Sequence, residues 1–224
     1  MSVLLQEKGI IFSPDFINIE ATLKILDKCH PFFSGIKIGN PTLYQYGFEV
    51  LRKIKKHFDL PIICDFKLMD IPIIADHIIG LGIHYGMDGA MIWGLAGEEI
   101  LCSCISRAKD DHIMIFILTE FTHVNNIPES TSNEIASLAV KLGAFGIQAP
   151  ATRPNRVQGL RKIIGKELKI ISCGVGCQGA PYGSAIKNGA DYEIIGRSIC
   201  LAPEPMKEAE KAYNAINSHV LLDA

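Results

Sequence analysis

The chain has 224 residues, of which 48% are hydrophobic and 21% are charged, a balance typical of a globular protein with a large apolar core. Its formal net charge is -2 with both signs interspersed, which argues against a basic surface for nucleic acid. No apolar run reaches the roughly 18 residues that span a membrane, and the start of the chain, MSVLLQEKGI, lacks the basic region of a signal peptide. We therefore expect neither a nucleic-acid nor a membrane partner.

The seven cysteines are an odd number and are scattered through apolar segments. Such a distribution favours reduced, buried thiols and therefore a cytoplasmic location. Cys102 and Cys104 are separated by a single residue, but no second pair with ligand spacing accompanies them. We therefore predict no metal site.

Short apolar, β-branched runs recur along the chain at intervals of 24 to 30 residues, as strands covered on both faces do. The runs begin at Ile10, Ile36, Ile62, Ala90, Ile115, Phe145, Lys169 and Glu193. The stretches between them have helical periodicity, over residues 19–29, 41–58, 71–85, 98–108, 132–142, 154–164, 182–188 and 203–216. Eight strands alternating with eight helices predict a (β/α)8 TIM barrel, one domain over residues 1–224. A doubly wound open sheet is the alternative.

The third apolar run ends in the segment CDFKLMDIP, which carries three charged residues. Side chains alternate along a strand, so Asp65 and Lys67 are expected on the same face. Asp70 follows where the strand gives way to a helix, and Pro72 suits the first helical turn. Opposite charges inside the mouth of a barrel are costly unless they pair or take part in chemistry. By itself the segment fits either a structural ion pair with a helix-capping aspartate or a catalytic cluster.

Two further charges are expected at the same end of the barrel. Lys37 lies between isoleucines in IKIGNP, where it would either reach solvent at the rim or pair with Asp65 of the neighbouring strand. Asp15 follows the first run, in SPDF, as either a helix-start residue or a site carboxylate. Active sites in these barrels lie at the carboxyl ends of the strands. Charges that follow three neighbouring strands therefore favour a single active site.

The last two strands lead into segments suited to an anion. The seventh run leads into GVGCQG, residues 174–179, and the eighth into GRS, residues 196–198. Glycines let backbone N–H groups approach a phosphate closely, and Arg197 adds a bidentate donor. Phosphate commonly lies between the loops after strands seven and eight of such barrels. The sequence therefore predicts a phosphate site there.

These motifs together resemble the orotidine 5'-monophosphate decarboxylase family over essentially the whole chain. The most specific match is D-x-K-x-x-D-I-P at residues 65–72, supported by IKIGNP, by TRP at residues 152–154, and by GVGCQG and GRS. The resemblance implies a carboxy-lyase that converts orotidine 5'-monophosphate to uridine 5'-monophosphate, the last step of de novo pyrimidine biosynthesis. It also implies that no metal or other cofactor takes part.

The resemblance assigns catalytic roles to four residues that would form an alternating charged array. In the family's pattern Lys37, Asp65 and Lys67 belong to one subunit, and Lys67 is the proton donor. Asp70 and Ile71 would come from the partner subunit of a homodimer with shared active sites.

The resemblance also implies a set of substrate-binding residues. Asp15 would bind the ribose, while Gln178 and Arg197 would grip the phosphate. Thr122 stands where the family usually has a serine that contacts the base, so the hydroxyl is kept. The full set is Asp15, Ile71, Thr122, Gln178, Gly196 and Arg197.

Besides Thr122, three positions depart from the family's pattern. Ile74 matches a threonine that touches the ribose from the partner subunit, and it cannot donate a hydrogen bond. Trp93 stands where relatives often have histidine, and Cys173 replaces a common proline. We interpret Trp93 and Cys173 as packing residues.

Two alternatives to this function remain at this point. Related Mg2+-dependent enzymes of sugar phosphates, 3-keto-gulonate-phosphate decarboxylase and hexulose-phosphate synthase, share the motif D-x-K-x-x-D. They resemble each other in carrying a glutamate near the end of strand two, where this chain has Lys37, and this difference favours the nucleotide decarboxylase. An inactive barrel that binds nucleotides as a regulator is the other alternative, but the full set of charged residues argues against it.

Overall fold

A closed barrel of eight parallel strands, each beside the next in chain order, forms the centre of the protein. The computed structural model describes residues 8–123 and 127–220. The strands are β1 (Gly9–Phe12), β2 (Phe33–Gly39), β3 (Ile62–Leu68), β4 (Gly89–Trp93), β5 (Met114–Leu118), β6 (Gly146–Pro150), β7 (Lys169–Cys173) and β8 (Tyr192–Ile195). The predicted (β/α)8 barrel is confirmed, and the open-sheet alternative is wrong. The ends of the proposed domain, residues 1–7 and 221–224, lie outside the described residues.

The helices surround the barrel and connect successive strands. They are α1 (Ile19–Cys29), α2 (Asn40–Tyr46), α3 (Glu49–Lys55), α4 (Pro72–His84), α5 (Glu98–Asp111), α6 (Glu129–Leu142), α7 (Pro154–Ile164), α8 (Ser184–Lys187), α9 (Arg197–Cys200) and α10 (Pro205–Val220). Among the described residues, no helix combines the length and apolar character needed to cross a membrane.

One helix prediction is wrong, because residues 41–58 form two helices, α2 and α3, instead of one. The break falls at Gly47, whose φ of 65° is left-handed and whose N–H donates to the Leu43 carbonyl at 2.8 Å. Glycine adopts this conformation without steric cost, so α2 ends there. The short helix α9 was not predicted, because four residues are too few to show a helical period.

The inside of the barrel is filled by a small apolar cluster that is separate from the larger core beneath the helices. Ile63 of β3 belongs to this inner cluster, and Asp65, which follows it on the same face, is also buried. The lower part of the barrel is therefore packed, and its carboxyl end carries charge. This division positions the candidate site.

Glu193 of β8 faces outward and holds the start of α8. Its carboxylate is fully buried and accepts hydrogen bonds from the backbone N–H groups of Gly183 (2.9 Å) and Ala185 (2.8 Å). Burial raises the pKa of Glu193 to about 7, although these backbone donors act in the opposite direction. This carboxylate therefore anchors the end of the loop that follows β7.

We expect Glu193→Gln to remove a pH-dependent part of the free energy of unfolding. The pKa of Glu193 is about 7 in the fold and 4.5 ordinarily, so the folded state binds the extra proton. Protonated Glu193 therefore contributes its full stability below about pH 4.5, and this contribution is lost as the pH rises through about 7. Between about pH 5 and pH 8 the native protein should lose about 2 kcal/mol relative to the variant, measured by urea unfolding.

The exposed Glu167 provides the matched control for this comparison. Glu167→Gln should leave the pH dependence of unfolding as it is in the native protein. A constant difference between native protein and Glu193→Gln over the whole range would contradict the assignment to Glu193.

Candidate active site

A cavity of about 330 Å³ opens at the carboxyl ends of the strands. Eight of the ten predicted site residues line it, namely Asp15, Lys37, Asp65, Lys67, Thr122, Gln178, Gly196 and Arg197. The remaining two, Asp70 and Ile71, do not. The sequence therefore located the cavity and most of its charged lining.

The Asp65 carboxylate joins two lysines in the floor of this cavity. Its Oδ2 atom lies 3.0 Å from Lys37 Nζ and 2.6 Å from Lys67 Nζ. Lys37 Nζ also lies 3.1 Å from Asp15 Oδ2. The four side chains form a row of alternating charges, Asp15–Lys37–Asp65–Lys67, so the reading of Lys37 as a solvated rim lysine is wrong.

Burial makes this row depend on its own pairing. Lys37 is 7% exposed and Asp65 is 4% exposed. Burial by itself would lower the pKa of Lys37, but Asp65 and Asp15 outweigh it and hold that pKa above its usual value. Burial would likewise raise the pKa of Asp65, but Lys37 and Lys67 hold it below its usual range. Lys37 and Asp65 are therefore charged together near neutral pH.

Asp65 and Lys67 each keep some capacity to interact with a ligand. Asp65 Oδ1 is buried and accepts no hydrogen bond from the described residues. The Lys67 side chain is 39% exposed, in contrast to that of Lys37. Lys67 has a left-handed backbone with φ of 46°, and the pairing of β3 with β4 is irregular between Cys64 and Leu68. Such backbone strain in a non-glycine residue is characteristic of functional sites.

Asp15 is held in one orientation by donors from two strand ends and from α2. Its carboxylate accepts hydrogen bonds from Gly39 N (2.6 Å), Thr42 Oγ1 (3.0 Å) and Ser13 Oγ (3.0 Å). A Cβ atom at position 39 would come within 2.6 Å of Asp15 Oδ2, so the site requires a glycine there. Asn18 caps α1, and the reading of Asp15 as a helix-start residue is therefore wrong.

The glycine-rich loop and Arg197 form the opposite side of the cavity. Gly174 and Gly176 have φ of 103° and 73°, conformations that favour glycine. Ser198 Oγ accepts a hydrogen bond from Cys177 N at 2.9 Å, which joins this loop to the turn after β8. The Arg197 guanidinium lies 5.3 Å from the centre of the Phe16 ring and forms no ion pair within the described residues. This side of the cavity can accept an anion.

Asp70 and Ile71 lie on the outer surface beside the cavity. Asp70 Oδ1 accepts a hydrogen bond only from the adjacent Ile71 N, at 2.8 Å, among the described residues. No side chain caps α4, so the alternative of Asp70 as a helix cap is wrong. Three neighbouring apolar residues, Met69, Ile73 and Ile74, are exposed around the pair.

Trp93 and Cys173, which depart from the family's pattern, both pack against neighbouring apolar groups. Trp93 packs against Phe121, with ring centroids 4.8 Å apart. Cys173 lines the cavity and packs against the inner apolar cluster, and burial raises the pKa of its thiol to about 11. A thiol in this environment is protonated near neutral pH.

A buried charged cluster next to the cavity was missed by sequence reasoning. Glu120 lies two residues after the end of β5, has no exposed surface and forms ion pairs with Arg153 and Arg156. Glu120 lies more than thirty positions from either arginine in the chain. In the sequence, the arginine of the TRP motif was the only sign of this cluster. Among the described residues, no group of three or more His, Cys, Asp or Glu side chains is arranged to hold a metal ion.

The fold and the site together define a class of protein. A closed (β/α)8 barrel with buried Lys–Asp pairs at the carboxyl ends of its strands is a barrel enzyme with a charged active site. The sequence model of the orotidine 5'-phosphate decarboxylase / HUMPS family matches residues 8–212. The chain belongs to this family, as its motifs predicted.

Individual relatives agree with this placement. The orotidine 5'-phosphate decarboxylase of Methanococcoides burtonii is 35% identical over 95% of this chain and 99% of its own length. That of Methanosarcina mazei is 38% identical over 89% and 91%, respectively. Among solved structures, the enzyme of Methanocaldococcus jannaschii complexed with the inhibitor BMP superimposes with a TM-score of 0.88 at 28% identity, covering 95% of this chain and 100% of that one.

Proposed function

We propose that this protein decarboxylates orotidine 5'-monophosphate to uridine 5'-monophosphate, the last step of de novo pyrimidine biosynthesis, without a metal or other cofactor. The observation that carries this proposal is the row of alternating charges, in which Lys37 and Asp65 are buried and Lys67 is the most exposed member. Relatives that cover nearly the whole chain bear the name of this enzyme.

The reaction would use two groups of the row, the partly exposed Lys67 ammonium and the Asp65 Oδ1 atom. The bond between C6 of the pyrimidine and its carboxylate breaks, CO2 leaves, and the electron pair stays on C6. Lys67 would stabilise this developing charge and transfer a proton from Nζ to C6. Asp65 Oδ1, which has no donor among the described residues, would crowd the substrate carboxylate with like charge. Lys37 would keep Asp65 ionised and in place.

The rest of the substrate would extend across the cavity. Arg197, Gln178 and Gly196 would bind the phosphate, because a guanidinium without an ion pair in the described residues borders the glycine-rich loop there. Asp15 would bind the ribose, and Thr122 would contact the base. Binding of the distant phosphate would help to close the loop after β7 and lower the chemical barrier.

The metal-dependent sugar-phosphate enzymes of the same family are the second candidate. Metal sites of this type need carboxylate oxygens that are free to coordinate the ion. Here an ammonium group, that of Lys37, already pairs with one oxygen of both Asp15 and Asp65. This occupation by an ammonium group favours the nucleotide decarboxylase.

We also propose a homodimer in which Asp70 and Ile71 complete the active site of the partner subunit. Both residues are exposed, and Met69, Ile71, Ile73 and Ile74 expose 61%, 59%, 72% and 40% of their surface, respectively. Several large apolar side chains around one acidic residue are typical of a surface that another chain covers. In this arrangement Asp70 would stand next to Lys67 of the other subunit.

A cytoplasmic location is part of the same proposal. All seven cysteines are free thiols, and four of them are buried. Such usage is typical of proteins that fold in a reducing compartment.

The purified protein should consume orotidine 5'-monophosphate, followed by its loss of ultraviolet absorbance, at the same rate with and without EDTA. Hexulose phosphate and 3-keto-gulonate phosphate, each with Mg2+, serve as comparison substrates. Turnover of a sugar phosphate that needs Mg2+, with none of the nucleotide, would establish the second candidate instead.

Lys67→Ala should abolish turnover because it removes the only proposed proton donor. The thermal unfolding midpoint should stay close to that of the native protein, since the side chain is 39% exposed. The exposed Lys166 provides a control, and Lys166→Ala should retain full activity. A Lys67→Ala variant that kept more than about a tenth of the native kcat would contradict the proposed role. Its activation free energy would then have risen by less than roughly 1.4 kcal/mol.

Mixing two inactive variants, Lys67→Ala and Asp70→Ala, tests the shared site. After dissociation and reassociation, each mixed dimer has one doubly altered site and one intact site. Random pairing makes half of the dimers mixed, so activity should recover to about a quarter of the native value. An inactive mixture in which subunit exchange is demonstrated by mass spectrometry would mean that Asp70 acts within its own chain or not at all.

A further inference from the structure

The segment of residues 120–122, which begins two residues after the end of β5, is held at three successive carbonyl oxygens. Each carbonyl accepts a hydrogen bond from a side chain of β6 or of the turn between β6 and α7. The pairs are Gln148 Nε2 with the Glu120 carbonyl (3.1 Å), an Arg153 guanidinium nitrogen with the Phe121 carbonyl, and Thr152 Oγ1 with the Thr122 carbonyl (2.8 Å). Side chains of neighbouring elements therefore help to set the path of this segment.

A buried charge cluster holds the central donor in place. The Glu120 carboxylate has no exposed surface; Arg153 Nη1 lies 2.7 Å from its Oε2, an ion pair without hydrogen-bond geometry. On the other side, Arg156 Nε donates to Oε1 at 2.8 Å, and Ser132 Oγ donates to the same atom at 3.0 Å. Arg153 is thus the link between the buried carboxylate and the Phe121 carbonyl.

The cluster borders the cavity without lining it. Phe121, Thr122 and Gln148 line the cavity, whereas Glu120 and Arg153 do not. The Phe121 ring also packs against Trp93 at 4.8 Å. Any change in the cluster reaches a ligand only through the wall that residues 121 and 122 form.

We propose that Arg153, the arginine of the TRP motif, is a positioning residue that sets the cavity wall formed by Phe121 and Thr122. This inference rests on the proposed function, because Thr122 is there assigned to the base of the substrate. A buried ion pair adds little net stability compared with apolar packing. The planar Arg153 guanidinium contacts the Glu120 carboxylate through Nη1 and the Phe121 carbonyl through Nη2, a fixed geometry that an ammonium group cannot reproduce. Placement of a reacting group is sensitive to shifts of about 1 Å.

The first test is Arg153→Lys, which keeps the charge beside Glu120 but loses the planar fork. We expect kcat/KM for orotidine 5'-monophosphate to fall by roughly tenfold or more. Arg161→Lys is the matched control. Arg161 lies on α7, pairs with Asp191 and donates to the carbonyls of Gly165, Leu168 and Gly189, but it does not line the cavity. It should lose similar thermal stability without loss of kcat/KM.

The second test asks whether Arg153 acts through Thr122. In a Thr122→Val background no hydroxyl remains to be positioned, so adding Arg153→Lys should lower kcat/KM by less than about threefold. A merely structural role predicts the same loss in both backgrounds. Arg153→Ala provides an independent readout, because a low concentration of guanidinium ion should restore part of its activity and ammonium ion should not.

The outcomes separate this inference from the function on which it rests. An inactive native protein would overturn the proposed function and the inference together. An active native protein with unchanged kcat/KM in Arg153→Lys, with equal losses in both Thr122 backgrounds, or with the same loss in Arg161→Lys would overturn the inference alone. Failure of guanidinium to restore Arg153→Ala would also contradict it.

Discussion

The active end of this barrel depends on one carboxylate oxygen shared by two lysines. Asp65 Oδ2 lies within 3.0 Å of both Lys37 Nζ and Lys67 Nζ, inside a wall of apolar strands. Lys37 could not remain charged at this depth without that carboxylate, and the carboxylate could not remain ionised without the lysines. The second oxygen of the same carboxylate is left without a donor in the described residues, so one side chain both balances the charges and faces the cavity.

The remaining structure maintains that arrangement from several directions. Apolar packing fills the barrel below Asp65, and Asp15 is oriented by donors at the ends of β1 and β2 and in α2. On the far side, Glu193 fixes the end of the loop after β7, and the Glu120 cluster fixes the segment after β5. Each of these buried carboxylates is engaged by donors from a neighbouring element, so the cavity wall is defined by contacts between elements.

Sequence reasoning was accurate where the pattern is local. The period of apolar runs located all eight strands, and alternation along β3 placed Asp65 and Lys67 together. It was wrong where a single residue ends a helix. The left-handed backbone of Gly47 divides a helix that the apolar period predicts as continuous. Sequence reasoning missed the Glu120 cluster because an ion pair between residues more than thirty positions apart leaves no periodic trace. The proposed partner of Asp70 belongs to another chain, and no local sequence pattern could identify it.

At position 67, with its left-handed backbone, the residue that is best for stability differs from the residue that the reaction needs. The Lys67 φ of 46° is a conformation in which glycine has no steric cost and a lysine costs about 1 kcal/mol or more. The substitution that would relax this backbone therefore also deletes the ammonium group. Selection for a more stable fold and selection for turnover would favour different residues here, so a lineage under both pressures must gain stability elsewhere.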